Sequence, residues 1–508
     1  MGRLAVAVIV STWVIPVSIL VNRIVPGPYM DEIFHVPQAQ EYCRGNIMKW
    51  DPMITTPPGL YCFSLVHVAS LYPWMYVLRW SSSFADSCST ALLRSLNGVL
   101  AVLSSILIYD IMVQLSPQLD RRKATFFAVA LALYPLHWFF TFLYYTDVAS
   151  MTLFLAMYLA CLKKNYWFSA LLGALSVFIR QTNIIWMLFV ACTAAIDMTQ
   201  SQQKDKATLE NFDMTSSGID DQTAEGNAAA VPGLRNRKTK NSHSNSHSSA
   251  RRKASASKDP GLVDEIRIIL FRARHMKQQM FILSAPFLFV LAAFVAFVRW
   301  NGSIVLGAKE AHSVSLHFSQ LLYLGLTSAL ASAPFHFTPG RAAFLISKHF
   351  KGRLASIFLM FFALAAGFIS VHFFSIAHPY LLADNRHYPF YLWRKVINNN
   401  RNMKYLLIPL YIYSWVSIFD ILGKTQKKIW LLAYFFACAA TLVPAPLIEF
   451  RYYTIPFFIL MLHSPVTNSS KWLLMGLAFI VVNNFTMSMF LFWPFKWDHE
   501  PGTQRFIW

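Results

Sequence analysis

The feature that most constrains this chain is the recurrence of long apolar runs. Stretches of about 18 or more predominantly apolar residues return along its whole length, enough to cross the hydrocarbon core of a bilayer as helices. A helix suits that solvent because it closes its own backbone hydrogen bonds. The runs lack the ten-residue alternation of an outer-membrane barrel. The expected fold class is therefore an all-α polytopic membrane protein. Composition agrees: only 13% of the 508 residues are charged, about half the usual share.

The net charge of +20 is not read as a nucleic-acid signal, because its positions explain it. Basic residues cluster between apolar runs, at Arg121-Arg122-Lys123, Lys163-Lys164, Lys348 to Arg353 and Lys424 to Lys428. Cytosolic loops carry such a bias. The expected spans are 4–22, 91–113, 124–142, 147–162, 166–180, 183–197, 279–298, 316–335, 354–376, 404–422, 429–446, 453–463 and 472–494. The first reads as an uncleaved signal anchor. Segment 59–80 is apolar enough to span, but Thr55-Thr56-Pro57-Pro58-Gly59 marks a turn into a helix lying along the interface.

If 59–80 does not cross and the N-terminus is cytosolic, every basic cluster falls in the cytosol. The polar stretches 30–57, Tyr144 to Asp147, Arg180 to Asn183, Lys309 to His317, His378 to Arg394 and Glu449 to Tyr453 then share the opposite side. Three regions follow: an N-terminal membrane module, 1–198, with a first luminal loop at 23–90; an insertion at 199–258; and a C-terminal membrane module, 259–508. The insertion is rich in Ser, Asn, His, Lys and Asp and too polar to offset its ordering entropy, so disorder is expected there. Six cysteines show no metal spacing. Cys43 and Cys62 can pair if their segment is luminal; free buried thiols are the expectation. Among the N-x-[ST] sequons, Asn301 is the one expected on the luminal side and open to modification.

The polar stretches hold the chemistry. Asp31 and Glu32 stand side by side just beyond the first span. They read either as a solvated helix start, which the helix dipole favours, or as a general base for an acceptor hydroxyl. Trp50 is an interfacial anchor or a sugar-stacking platform. Arg180, Lys309, His312, His317, Arg386, His387 and Arg451 supply donors suited to an anionic group. His312 and His317 are five apart, not the four that chelates zinc on one helix face. No phosphate-binding glycine loop, dinucleotide fingerprint, zinc-protease motif or serine elbow occurs. The substrate that fits is a lipid-linked phosphate delivered within the membrane.

Seven motifs in order, YMDEIFHVPQAQ, WDPMITTPPGLY, LRSLN, LYYTD, RQTNIIW, LADNRHYPFYLWR and PLIEFRYYTIPF, closely resemble the dolichyl-phosphate-glucose alpha-1,2-glucosyltransferase family of the endoplasmic reticulum. The resemblance covers nearly the full chain outside 199–258. It implies a GT-C-type glycosyltransferase fold with a luminal active site. It also implies dolichyl-phosphate-glucose as donor, a diglucosylated dolichyl-diphosphate oligosaccharide as acceptor, and inversion to an alpha-1,2 product. By that likeness Asp31 is the base and Glu32 a second, orienting acid. Arg386, His387, Arg451, Arg180, Lys309, His312 and His317 are donor-phosphate ligands, and Trp50, Thr55 and Gln38 acceptor contacts. One departure is the lost acid before the histidines, where Gly307-Ala308-Lys309 stands. No cofactor and no metal is required, although a divalent ion bridging phosphate to Asp384 stays open. The rival readings are a secondary transporter and a non-catalytic membrane partner. A transporter calls for polar groups at the midplane of broken helices, whereas here they cluster at span ends on one side.

Overall fold

A computed structural model describes residues 2–216, 261–310, 314–350, 354–400, 402–498 and 502–508. They are helical, and the only extended pairings among them are isolated bridges, His387 with Ile507 and Phe495 with Gln504. The chain forms two compact units, Met1–Ala195 with Lys277–Trp508, and Ile196–Met276. The candidate site lies in the first. Within the second, Arg272 donates to the Thr199 carbonyl at 2.8 Å. Most of the expected insertion, 217–258, lies outside the described residues.

Among those residues, seven helices are long and apolar enough to cross a membrane: Gly2–Ile24, Gly59–Val77, Thr90–Leu115, Lys277–Asn301, Leu354–Phe373, Met403–Leu422 and Ser469–Phe492. Five further apolar helices are shorter, Thr146–Leu162, Tyr166–Ile179, Asn183–Thr199, Lys428–Leu442 and Phe450–Leu462. The protein is a polytopic, all-helical membrane protein. Outward apolar side chains such as Phe358, Phe361 and Phe362 face what would be lipid. We label the helices that carry the site α1 (Gly2–Ile24), α2 (Glu32–Cys43), α3 (Gly59–Val77), α4 (Thr90–Leu115), α5 (Arg121–Ala132), α6 (Pro135–Phe140), α7 (Thr146–Leu162), α8 (Tyr166–Ile179) and α9 (Asn183–Ser216).

The expected span 124–142 is two helices, not one. Pro135 removes a backbone donor and holds Tyr134 extended, at φ −52° and ψ 123°. The carbonyl of Leu133 is met instead by the Asn483 amide at 2.8 Å, as a broken helix in a membrane requires. Tyr134 stacks on Phe457 with ring centroids 4.2 Å apart.

Segment 59–80 contains α3, long enough to span, and its residues from Gly59 to Tyr72 meet the end of α8 and the start of α4. The start packs so tightly on the end of α8 that a Cβ at Gly59 would meet the Phe178 carbonyl. Further along, His67 pairs with Ser95 in the first turns of α4 at 2.9 Å, and Tyr72 meets Phe84, just before α4. The start of α4 is in turn bonded to the end of α1, through Arg94 to the Val25 and Gly27 carbonyls.

One cysteine expectation is corrected. Cys43 is not free; it is joined to Cys88, with Cα atoms 6.5 Å apart. Cys62 is free. The short helix Phe84–Ser87, capped by Ser83, turns the chain so that Cys88, not Cys62, faces the end of α2.

Candidate active site

The turn between α1 and α2 is built on a buried ion pair. Glu32 is 0% exposed and Arg94 2%. The Glu32 Oε1 accepts from Arg94 Nε at 2.8 Å and from the Tyr144 amide at 2.6 Å. Its Oε2 accepts from Arg94 Nη2 at 2.6 Å and from the Tyr29 amide at 3.0 Å. The remaining Arg94 donors go to Asn22 and to the Val25 and Gly27 carbonyls. Both charges are thus fully hydrogen-bonded, the condition under which a buried pair is tolerated. Asn97, one turn on, donates to the Leu143 and Tyr145 carbonyls and fixes the turn before α7. Glu32 has no free oxygen lone pair pointing to a substrate; it holds the backbone that presents Asp31.

Asp31 points the other way. Its carboxylate is 44% exposed and meets Arg451 Nη1 at 3.2 Å. Arg451 also pairs with Glu449 at 2.8 Å and Asp147 at 3.6 Å, and lies 5.3 Å from the Phe140 and Tyr145 rings. Asp147 is shared with Arg180 at 2.7 Å, and Arg180 lies over Tyr452. Three carboxylates therefore meet two guanidiniums. Asp147 and Glu449 are only 10% and 20% exposed, which leaves Asp31 as the accessible acid of the cluster. The Arg451 segment is itself clamped: Gln320 donates to the Ala445 and Leu447 carbonyls, and the His317 amide to Val443. His317 is buried and accepts from the Ile376 amide at 3.3 Å; it is not in the ion cluster.

Across Tyr61 from His35 lies the loop 49–56. Gln38 is buried and bonds the Lys49 carbonyl and the Asp51 amide, so it shapes the loop. Thr55 offers its carbonyl to Gln181 and to the Leu306 amide. Trp50 packs on Tyr61, and its indole Nε1 and the Thr56 hydroxyl are buried atoms without a partner. His35 pairs with the Tyr61 hydroxyl at 2.7 Å, and burial holds its imidazole below its ordinary pKa. Residues 306–308 dock on this loop through amides to Thr55 and Pro52. Lys309 is exposed and held by Asn301 at 2.7 Å, away from the cluster. The Asn301 amide, the expected modification site, is engaged with the Ser303 and Val305 carbonyls. His312 lies outside the described residues.

Arg386 and His387 form a separate group. Arg386 forks onto Asp384 at 2.8–3.1 Å, reaches Gln504 at 2.8 Å and lies 4.5 Å from the Trp497 ring. Burial pushes the Asp384 carboxyl up, but the Arg386 hydrogen bonds outweigh it and hold the group below the carboxylate range. His387 Nδ1 lies 3.1 Å from the Trp508 carbonyl. The segment 502–508 is tied back to the first turn by Tyr29, whose hydroxyl accepts from the Arg505 amide and donates to its carbonyl, each at 2.7 Å. Burial pushes that hydroxyl up to about 12, so it keeps its proton. Beside Trp508 opens an apolar cavity of about 430 Å³, lined by Tyr134, Tyr323, Trp393, Tyr411, Phe450 and Trp508 among others. No group of three or more His, Cys, Asp or Glu that could hold a metal ion occurs among the described residues.

Arg94, Asp147 and Glu449 were not singled out as site residues from sequence. The signal for Arg94 was present: an arginine inside the apolar run Leu92-Leu93-Arg94-Ser95-Leu96 needs a buried partner. Nothing local says that the partner is Glu32 rather than Asp31. Glu449 stands two residues before Arg451, where such a pair reads as structural, and Asp147 becomes visible only when the stretch that carries it meets Arg451.

Comparison with known proteins adds an independent line. The family model described as DIE2/ALG10 matches residues 25–462. A curated protein of Arabidopsis thaliana, named Dol-P-Glc:Glc(2)Man(9)GlcNAc(2)-PP-Dol alpha-1,2-glucosyltransferase, is 55% identical over 100% of both chains. Proteins of the same name from Rattus norvegicus and Homo sapiens are 33% identical over 96% of this chain and 94% of theirs. No solved structure matches.

Proposed function

The chain belongs to the DIE2/ALG10 family, and on that premise we propose that it is the glucosyltransferase that moves glucose from dolichyl-phosphate-glucose to the diglucosylated dolichyl-diphosphate oligosaccharide. The linkage formed is alpha-1,2. This is the last step of lipid-linked oligosaccharide assembly for protein N-glycosylation. The enzyme works in the endoplasmic reticulum membrane with its site facing the lumen, on a GT-C-type fold. The Cys43–Cys88 disulfide supports that side, since such bonds persist in oxidising compartments. The clustering of basic residues between apolar runs, which favours the cytosol for those loops, supports it too.

The observation that carries the mechanism is the half-exposed Asp31 carboxylate held at 3.2 Å by Arg451. Asp31 takes the proton of the acceptor 2-hydroxyl. The hydroxyl oxygen bonds to the anomeric carbon as the bond from that carbon to the phosphate oxygen breaks. The electron pair leaves with dolichyl phosphate, and the configuration inverts. A phosphate leaving group gains more from fixed positive charge than from a proton, and preorganised charge of that kind is a large catalytic term. Arg451, bonded to Asp31, would lend a hydrogen bond to the leaving oxygen as its hold on Asp31 loosens. Glu32 and Arg94 position, and do not touch the sugar. Trp50 and Thr56, each with a buried unpartnered donor, suit acceptor hydroxyls, with Thr55 and Gln38 shaping the loop around them.

The test is direct. The full-length protein in liposomes, given dolichyl-phosphate-glucose and the diglucosylated acceptor, should add one hexose, removable by an alpha-1,2-specific glucosidase. An intact acceptor that gains no hexose, or gains one in another linkage, would overturn the reading.

A further inference from the structure

Two buried donors near the apolar cavity are unused by the site described above. The Trp508 indole Nε1 and the Tyr388 hydroxyl are buried atoms with no hydrogen-bond partner, and their rings lie 5.0 Å apart at 56°. Backbone pairing sets them side by side: the Ile507 amide donates to the Arg386 carbonyl at 2.9 Å, and the Tyr388 amide to the Ile507 carbonyl at 3.2 Å. A buried donor without an acceptor is costly and rare. Two on adjoining, fixed side chains point to an acceptor brought by a ligand.

The surroundings give the chemistry of that ligand. Trp508 lines the cavity of about 430 Å³ together with Phe450 and Pro389. Phe450, 6.4 Å from Trp508 between ring centroids, is followed directly by Arg451. At Asp31 three carboxylates already occupy the two guanidiniums, so a phosphate there needs donors besides Arg451. Beside Trp508, whose carbonyl lies 3.1 Å from His387 Nδ1, Asp384 is matched one to one by Arg386. An apolar cavity with the Trp508 N–H in its wall, the Tyr388 O–H beside it and the Arg386–Asp384 pair close by matches a polyprenyl chain that carries a phosphate.

We infer that the Trp508 Nε1–H and the Tyr388 hydroxyl bind the phosphate of the lipid-linked glucose, with the isoprenoid in the cavity and the sugar turned toward Asp31. This rests on the reading of the chain as a dolichyl-phosphate-glucose transferase. The segment 502–508 is then a wall of the donor site. Its bonds to Tyr29, and from Tyr29 to Glu32, fix the distance between the phosphate and the base.

The experiment compares the full-length wild type with Trp508→Phe and Tyr388→Phe, which remove a donor and keep the ring. Each should raise the donor KM, and the Ki of dolichyl phosphate as competitor, about tenfold, the usual effect of losing a hydrogen bond to a charged group. The acceptor KM should not move. Without ligand both variants should unfold no earlier than wild type, because an unsatisfied donor has been removed; dolichyl phosphate should then raise their midpoints less. Inorganic phosphate should protect none of them. Wild-type affinity for dolichyl phosphate in the double variant would overturn the inference. So would earlier unfolding of the unliganded variants, or equal protection by inorganic phosphate. A wild type that binds dolichyl phosphate in a Trp508-dependent way but transfers no glucose would leave the site standing and remove the reaction.

Discussion

Removing the Arg94 guanidinium would leave Glu32 buried, charged and short of two of its four hydrogen bonds. Losing one partner of such a pair costs about 3–5 kcal/mol. Arg94→Met should therefore lower the unfolding midpoint in detergent sharply, and Glu32→Leu with Arg94→Met should recover part of the loss. His35 gives a pH signature. Burial keeps its folded pKa below the ordinary 6.5, so as pH falls through that value the unfolded chain binds a proton that the folded chain refuses. Stability is whole above about 6.5 and declines below it. His35→Phe should flatten the difference between midpoints measured at pH 7 and pH 5. At this scale the sequence announced which residues were unusual, but not their partners. Asp31 and Glu32 are neighbours in the chain and opposites in the fold. One faces Arg451 and the open side and the other the core, because a helix start turns successive side chains to different faces.

At the scale of elements, the docking of loop 306–308 on loop 52–55 depends on glycine. A Cβ at Gly307 would run into the Pro52 carbonyl oxygen. Backbone on both sides leaves no flexible side chain to yield. Gly307→Ala should push the loops apart and raise the acceptor KM severalfold while the donor KM stays near wild type, as initial rates with each substrate varied would reveal. The lost acid of the Gly307-Ala308-Lys309 stretch fits this picture, since the stretch meets its neighbours through backbone amides. Helices were legible from apolar period and caps, but their lengths were not. The break at Leu133–Tyr134 follows from Pro135 in hindsight. What permits it is Asn483, 350 residues away, and no local rule reaches that far. The Cys43–Cys88 bond was illegible for the same reason: it depends on how the 78–90 turn lies.

For the whole molecule, charge bias alone predicted a convergence of distant polar stretches on one side. Asp31 and Arg451, 420 residues apart, meet, and Arg180 joins through Asp147. Arg386 and His387 join a second group, linked to the first through Tyr29, Trp508 and Phe450. That division was not legible, because it is made by the segment 502–508, which carries none of the ionised residues that drew the eye. On the proposed reading the same arrangement separates tasks: an acid with one hydrogen-bonded cation for the acceptor hydroxyl, and an apolar cavity beside Trp508 for the lipid donor. The measurement that tests this most directly is single-turnover glucose transfer by Asp31→Asn beside Glu449→Gln, with donor affinity measured in both. The account predicts that Asp31→Asn slows transfer by about 10²-fold or more with donor affinity within about twofold of wild type, and that Glu449→Gln has a much smaller effect on the rate. Transfer by Asp31→Asn at the wild-type rate would contradict it.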